Sequence, residues 1–146
     1  MILKIKKLCD KAEVPFRATK GSAGMDLKAC IDEPVTINPG ERRLISTGLA
    51  VALESADYVA YIFARSGLAV KLGITLSNCV GVIDSDYRGE LKVGLINQSN
   101  EPYTVNCGER IAQLVISPVI LPQILLVDSL EETERNAGGF GSTGKV

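Results

Sequence analysis

The chain contains no histidine among its 146 residues, and that absence removes more chemistry than any other feature of the composition. It excludes Ser-His-Asp and Cys-His nucleophilic catalysis, any His-ligated zinc site and the zinc-deaminase signature. An enzyme of this composition working near neutral pH takes its base from a carboxylate, or from Lys, Tyr or Cys. Cysteine is sparse and scattered: Cys9, Cys30, Cys79 and Cys107 show no Cys-x-x-Cys spacing. With no secretion signal they are expected to be reduced thiols, small core or near-core residues. An excess of one charge is missing too. A formal net charge of −1 makes no case for nucleic acid or a membrane surface as partner, so any basic residues that matter act locally. No apolar run approaches membrane-spanning length, and Met1-Ile2-Leu3-Lys4-Ile5-Lys6-Lys7 lacks the continuous apolar core of a signal peptide. A soluble, cytoplasmic protein is expected (nuclear in a eukaryote).

What is present, with 46% of residues apolar, suits one domain with a real core. The central stretch is Gly81-Val82-Ile83-Asp84-Ser85-Asp86-Tyr87-Arg88-Gly89-Glu90. A short apolar run enters it, polar side chains suited to a turn sit at its bend, and the alternating run Leu91 to Leu95 leaves it. The pattern predicts strand, tight turn and strand, a hairpin. Similar short runs, Ile2–Lys6, Met25–Ala29, Val35–Ile37, Arg42–Leu53, Tyr58–Phe63, Ile74–Leu76 and Arg110–Ile116, are separated by Pro, Gly and Asn turns. They predict an all-β sandwich or barrel. One short helix is expected, with Ser66 capping Gly67 to Lys71 and Gly73 stopping it. The β domain spans 1–130. From Glu131 the composition changes, and 131–146 reads as a flexible Gly-rich C-terminal arm with too few large apolar groups to fold alone.

Several polar residues have two readings each. An Asp-rich bend at Asp84 and Asp86 is ordinary turn chemistry or a pair of carboxylates at a site. Asp26 is a solvent-facing strand residue or a carboxylate aimed at a site. Arg65 and Ser66 form a capped turn with a surface arginine, or an anion site made of free N–H groups, a hydroxyl and a guanidinium. Asn78 ties down a turn or pairs with a base edge. Gln113, in an apolar setting, braces a loop or holds a water. Gly108-Glu109-Arg110 also has phosphate-site chemistry. The tail is a spacer, or it closes over a phosphate with glycine backbone, Ser and Thr donors and the flat ring of Phe140.

Five blocks occur in order and span nearly the whole chain: Ala23-Gly24-Met25-Asp26-Leu27, Arg65-Ser66-Gly67-Leu68-Ala69, Gly81 to Glu90, Gly108 to Leu114, and Arg135 to Gly144. In this combination the chain resembles the trimeric deoxyuridine triphosphate nucleotidohydrolases, or dUTPases. The resemblance implies a jelly-roll-like β fold, a homotrimer with three shared active sites, and hydrolysis of dUTP with Mg²⁺ to dUMP and pyrophosphate. That reaction keeps uracil out of DNA and supplies dUMP for dTMP synthesis. It further implies Asp84 as the base activating water for attack on the α-phosphorus, and Tyr87 against the deoxyribose, leaving no room for a 2′-hydroxyl. Asn78 and the backbone from Gly81 and Val82 through Ile83 to Asp84, with Lys92, would surround uracil and sugar. Arg65, Ser66 and Gly67 would hold phosphate oxygens, and Gln113 would position water. Arg135, Phe140, Gly141, Ser142 and Thr143 would close over base and phosphates. No side chain would ligate the metal directly; phosphates and waters would hold it, with Asp26 in the outer shell. Ala64 stands where the family usually has proline, and Asn136-Ala137 replaces a more usual Gly-acidic pair; both bear on rate rather than reaction. A non-zinc dCTP deaminase of the same fold is the nearest rival enzyme, opposed by Asp84 and Tyr87 in the dUTPase pattern. A dUTP-gated regulatory or interaction protein is the rival of another class.

Overall fold

The structure, a computed structural model, describes residues 1–139. Within them lie β1 (Lys4–Lys7), β2 (Met25–Lys28), β3 (Val35–Ile37), β4 (Arg42–Ser46), β5 (Leu49–Ala52), β6 (Tyr58–Phe63), α1 (Ser66–Leu72), β7 (Ile74–Leu76), β8 (Val80–Ile83), β9 (Lys92–Asn97), β10 (Tyr103–Val105) and β11 (Arg110–Pro118). Pairing is antiparallel throughout. A four-stranded sheet runs β2-β11-β6-β8, a three-stranded one β4-β9-β7, and two ribbons pair β1 with β5 and β3 with β10. The fold is all-β and jelly-roll-like, with one short helix. No helix among the described residues is long and apolar enough to cross a membrane.

Period-two patterning builds the core. Along β9, Val93, Leu95 and Asn97 are buried and Lys92 is exposed, since successive side chains of a strand point to opposite faces. Leu27, Ile37, Ile45, Leu49, Ile74, Leu91, Ile111 and Leu114 join them at 1% exposure or less. Each such Leu or Ile contributes roughly 2–3 kcal/mol of burial. Asn97, the one buried side-chain amide among the described residues, donates to the carbonyls of Ile37 and Glu101 and accepts from the N–H and hydroxyl of Ser99. Its desolvation is thereby offset.

Four local expectations need correction. Strands flank the central turn, but β8 pairs with β6 whereas β9 pairs with β4 and β7; the turn carries the chain between sheets and is no hairpin. The run 42–53 is two strands. Gly48, at φ +66°, breaks it, and a Cβ there would meet the Ala12 Cβ at 2.8 Å. The helix cap is Arg65, with no side-chain cap bond, so Ser66 is the first helical residue; Gly73 ends the helix in the left-handed region as expected. The four thiols are free, and only Cys30 is near-core, half-buried against the hydrophobic cluster, whereas Cys9, Cys79 and Cys107 are exposed. Small size does not bury a residue whose place in the chain falls at a strand end or turn.

Candidate active site

Two clefts gather the residues expected to act. The first surrounds the turn after β8. Asp84 to Tyr87 closes as a turn with the Tyr87 N–H donating to the Asp84 carbonyl at 3.2 Å. Arg88 Nη1 donates to the carbonyls of Ser85 and Tyr87 at 2.7 and 2.9 Å, which pins it from outside. The Tyr87 hydroxyl donates to the Glu90 carbonyl at 3.1 Å, and its ring lies over Gly89, where a Cβ would come within 2.3 Å of the phenol oxygen. The ring is thereby held beside Asp84 although Tyr87 remains 44% exposed. Leu44, Val82, Ile83, Asp84, Tyr87, Glu90 and Lys92 line a cleft of about 530 Å³. Lys92 Nζ is 3.5 Å from a Glu90 carboxylate oxygen. Gly81 is buried against Ile62. Asn78 is exposed in the turn before β8 and lines neither cleft.

The second cleft, about 390 Å³, brings together Gly24, Asp26, Arg65, Ser66, Gly67, Arg110 and Gln113. Its geometry rests on a β-bulge. Arg110 stands opposite Lys28, but Ala112 stands opposite Leu27 and Gln113 opposite Asp26, so Ile111 is an extra residue. Ile111 and Ala112 both enter the core. The phase of β11 changes there, and Arg110 and Gln113 emerge on the same face as Asp26 and Lys28, the re-aiming a bulge performs. Asp26 is then held by two guanidinium groups, Arg65 Nε at 2.9 Å and Arg110 Nη1 at 3.3 Å. Two guanidiniums on one carboxylate leave net positive charge facing the cleft, beside the start of α1. Gln113 Nε2 donates to the Ala64 carbonyl at 3.0 Å, and a Cβ on Gly24 would lie 2.3 Å from its Oε1. Behind this cleft Tyr103 donates to Glu109, and burial, with that bond, pushes its phenol pKa up.

The clefts share no lining residue. β8 and β2 are opposite edges of the four-stranded sheet, three strand spacings or about 14 Å apart. The candidate residues therefore fall into two separate groups on the chain, Asp84 with Tyr87 and Asp26 with Arg65 and Gln113. Arg135 sits in an exposed turn, its carbonyl accepting from the Gly138 N–H at 2.9 Å. Phe140, Gly141, Ser142 and Thr143 lie outside the described residues. Arg110, in the Gly108-Glu109-Arg110 triplet with phosphate-site chemistry, reaches the second cleft through Asp26, and Glu90, for which the sequence offers no role, lines the first. Among the described residues no group of three or more His, Cys, Asp or Glu side chains could hold a metal ion.

The sequence profile of the dUTPase family matches residues 10–144. The deoxyuridine 5′-triphosphate nucleotidohydrolase of Coxiella burnetii (strain Dugway 5J108-111) is 54% identical over 140 residues, covering 96% of this chain and 92% of that protein. The same-named protein of Desulfitobacterium hafniense (strain DSM 10664 / DCB-2) is 55% identical over 136 residues, 92% and 90% of the two chains. Among solved structures, the Staphylococcus bacteriophage 80alpha dUTPase with dUpNHpp superposes at a TM-score of 0.88, with 30% identity and 98% of both chains covered. A variant dUTPase from phage phi11 of S. aureus, described with a coordinated structural Mg(II) ion, gives a TM-score of 0.82 at 26% identity, covering 90% of this chain and all of that one.

Proposed function

The chain belongs to the dUTPase family, and on that premise we propose how its two half-sites hydrolyse dUTP to dUMP and pyrophosphate. Asp84 takes a proton from water, and the water oxygen attacks the α-phosphorus. The bond from that phosphorus to the bridging oxygen of the β-phosphate breaks, and pyrophosphate leaves. Tyr87 lies along the deoxyribose and excludes a 2′-hydroxyl. Uracil is read by the backbone of Gly81 to Asp84, with Asn78 and Lys92 near base and sugar. The position of β8 supports this, since it forms an edge of its sheet and an edge strand has backbone donors and acceptors left for a ligand. Arg65, Ser66 and Gly67 hold phosphate oxygens against the positive charge left around Asp26, and Gln113 positions the water. Arg135, Phe140, Gly141, Ser142 and Thr143 close over the nucleotide, excluding bulk water.

Both Asp26 oxygens are taken by arginines, which suits outer-shell contact to metal-bound waters rather than direct ligation. Mg²⁺ keeps several waters and binds triphosphate oxygens readily, so this donor set fits it. When bound, it would draw charge from the phosphate oxygens. The placement of the two clefts at opposite edges of one sheet favours a homotrimer in which each active site takes its Asp84 cleft from one subunit and its Arg65 cleft from another. The reaction belongs in the intracellular deoxynucleotide pool.

The observation carrying most weight is that Asp84 and Tyr87 lie together beside an edge strand while the cationic cleft lies at the opposite edge. A product assay with dUTP, dCTP, dTTP and UTP plus Mg²⁺ tests it. Pyrophosphate from dUTP alone is expected; ammonia from dCTP would identify the deaminase instead.

A further inference from the structure

The sulphurs of Cys9 and Cys30 lie 2.8 Å apart, and neither lines the two clefts assigned to the hydrolysis. A disulfide requires about 2.05 Å, so bonding needs a further approach of only about 0.8 Å. The backbone holds both cysteines to one corner. The Leu8 N–H donates to the Gly48 carbonyl at 2.8 Å, and the Cys30 N–H to the Ser46 carbonyl at 2.8 Å. Gly48 makes room for the sulphurs: a Cβ there would lie 2.9 Å from the Cys30 sulphur and 3.0 Å from that of Cys9. A solvent-open cleft of about 480 Å³, lined by both cysteines with Lys11, Asp32, Gly48 and Glu90, leads to them, and Glu90 lines the Asp84 cleft as well.

We propose that Cys9 and Cys30 are an oxidation site, a dithiol that a hydroperoxide closes to an intramolecular disulfide. The two positions are unequal. Cys9 is exposed and Cys30 half-buried, and burial, followed by the hydrogen bond to Cys9, raises the Cys30 thiol to about 11. Cys9 is accordingly the group that attacks the peroxide, since the exposed thiol meets the oxidant first and the less accessible Cys30 keeps its proton for the second step. Its thiolate attacks one peroxide oxygen, the O–O bond breaks and hydroxide leaves, giving Cys9 sulfenic acid. The Cys30 sulphur then attacks the Cys9 sulphur and the S–O bond breaks. The departing hydroxide leaves as water with the Cys30 proton. In total two thiols and one hydrogen peroxide give one disulfide and two waters. The closed loop, residues 9 to 30, contains β2 and Asp26, and joins the segment after β1 to the end of β2.

The test treats the full-length protein with hydrogen peroxide, alkylates remaining thiols, digests without reductant and maps the linkages by mass spectrometry. A Cys9–Cys30 peptide pair is expected, released by dithiothreitol. Closing this loop should raise Tm by roughly 5–10 °C, reversed by the same reductant. Cys79→Ser and Cys107→Ser should retain the link and the Tm rise, and Cys9→Ser and Cys30→Ser should lose both. Cys107 lies near enough to act on Cys30 electrostatically, so it is the competing partner. A Cys9–Cys107 or Cys30–Cys107 pair, an intermolecular link, or Cys9 oxidised to sulfinic acid with Cys30 still alkylated would each overturn the assignment. Mapping in the unmutated protein decides the matter even where a serine variant fails to fold.

Discussion

Asp84 and Asp86 sit two positions apart in the same turn, and their surroundings separate them. Both carboxylates line a neighbouring cleft with Tyr58 and Tyr61, but only Asp84 also lines the cleft with Tyr87 and Lys92. Asp84→Asn keeps shape and most polar contacts but removes the base. Turnover should fall about 10²–10⁴-fold with nucleotide binding retained, as measured by pyrophosphate release alongside calorimetric binding. Unchanged turnover, with the loss appearing in Asp86→Asn, would show that the wrong carboxylate carries the reaction. Tyr87 acts through the space it fills. Its ring is held by Gly89 and the Glu90 carbonyl, so Tyr87→Ala should open room beside C2′ and let UTP compete with dUTP. Continued complete rejection of UTP would place discrimination elsewhere.

At the scale of elements, the bulge in β11 and the break at Gly48 matter most. The bulge turns Gln113 from an apparent core position to the face of Asp26, and Gly24 leaves the space its amide occupies. Gly24→Ala would put a methyl 2.3 Å from the Gln113 Oε1. The far end of a flexible side chain can move away, so stability should change little. The amide's position is lost, and with it most of the turnover; activity equal to the unmutated protein would exclude Gln113 from water positioning. Gly48→Ala is different. A left-handed φ and a 2.8 Å contact with the Ala12 Cβ leave no soft group to yield. A loss of roughly 2–4 kcal/mol is expected from urea unfolding midpoints.

For the whole molecule, the decisive observation is that one chain presents the two candidate clefts at opposite edges of a sheet. Asp84→Asn and Arg65→Gln should each be nearly inactive alone. Unfolded and refolded together at equal amounts, they should recover activity, because a site shared between neighbours draws its halves independently and about a quarter become whole. If both halves came from the same chain, no mixed oligomer would contain a complete site. Activity no higher than in the separate proteins, with mixed oligomers shown by native mass spectrometry, would therefore refute sharing.

By itself the sequence determined the β-rich class and the short helix stopped at Gly73, while the grouping of candidate residues into five blocks came from the family resemblance. Local rules suffice there: strand alternation, turn composition and the left-handed preference of glycine act over a few residues. It also brought Asp84, Tyr87 and Lys92 within reach of one another, because a turn nearby in sequence does so. Tertiary structure alone decided the rest. That β8 and β9 join different sheets depends on which strands find each other across the chain. Gln113 faces Asp26 because one extra residue changes the phase of β11, and no pattern within that strand reveals where its partner skips a place. Cys9 and Cys30, 21 residues apart, meet because backbone hydrogen bonds dock both on the Ser46–Gly48 corner. Spacing encodes contacts along one strand or turn; contacts between strands are set by register, which the packing of the whole core selects.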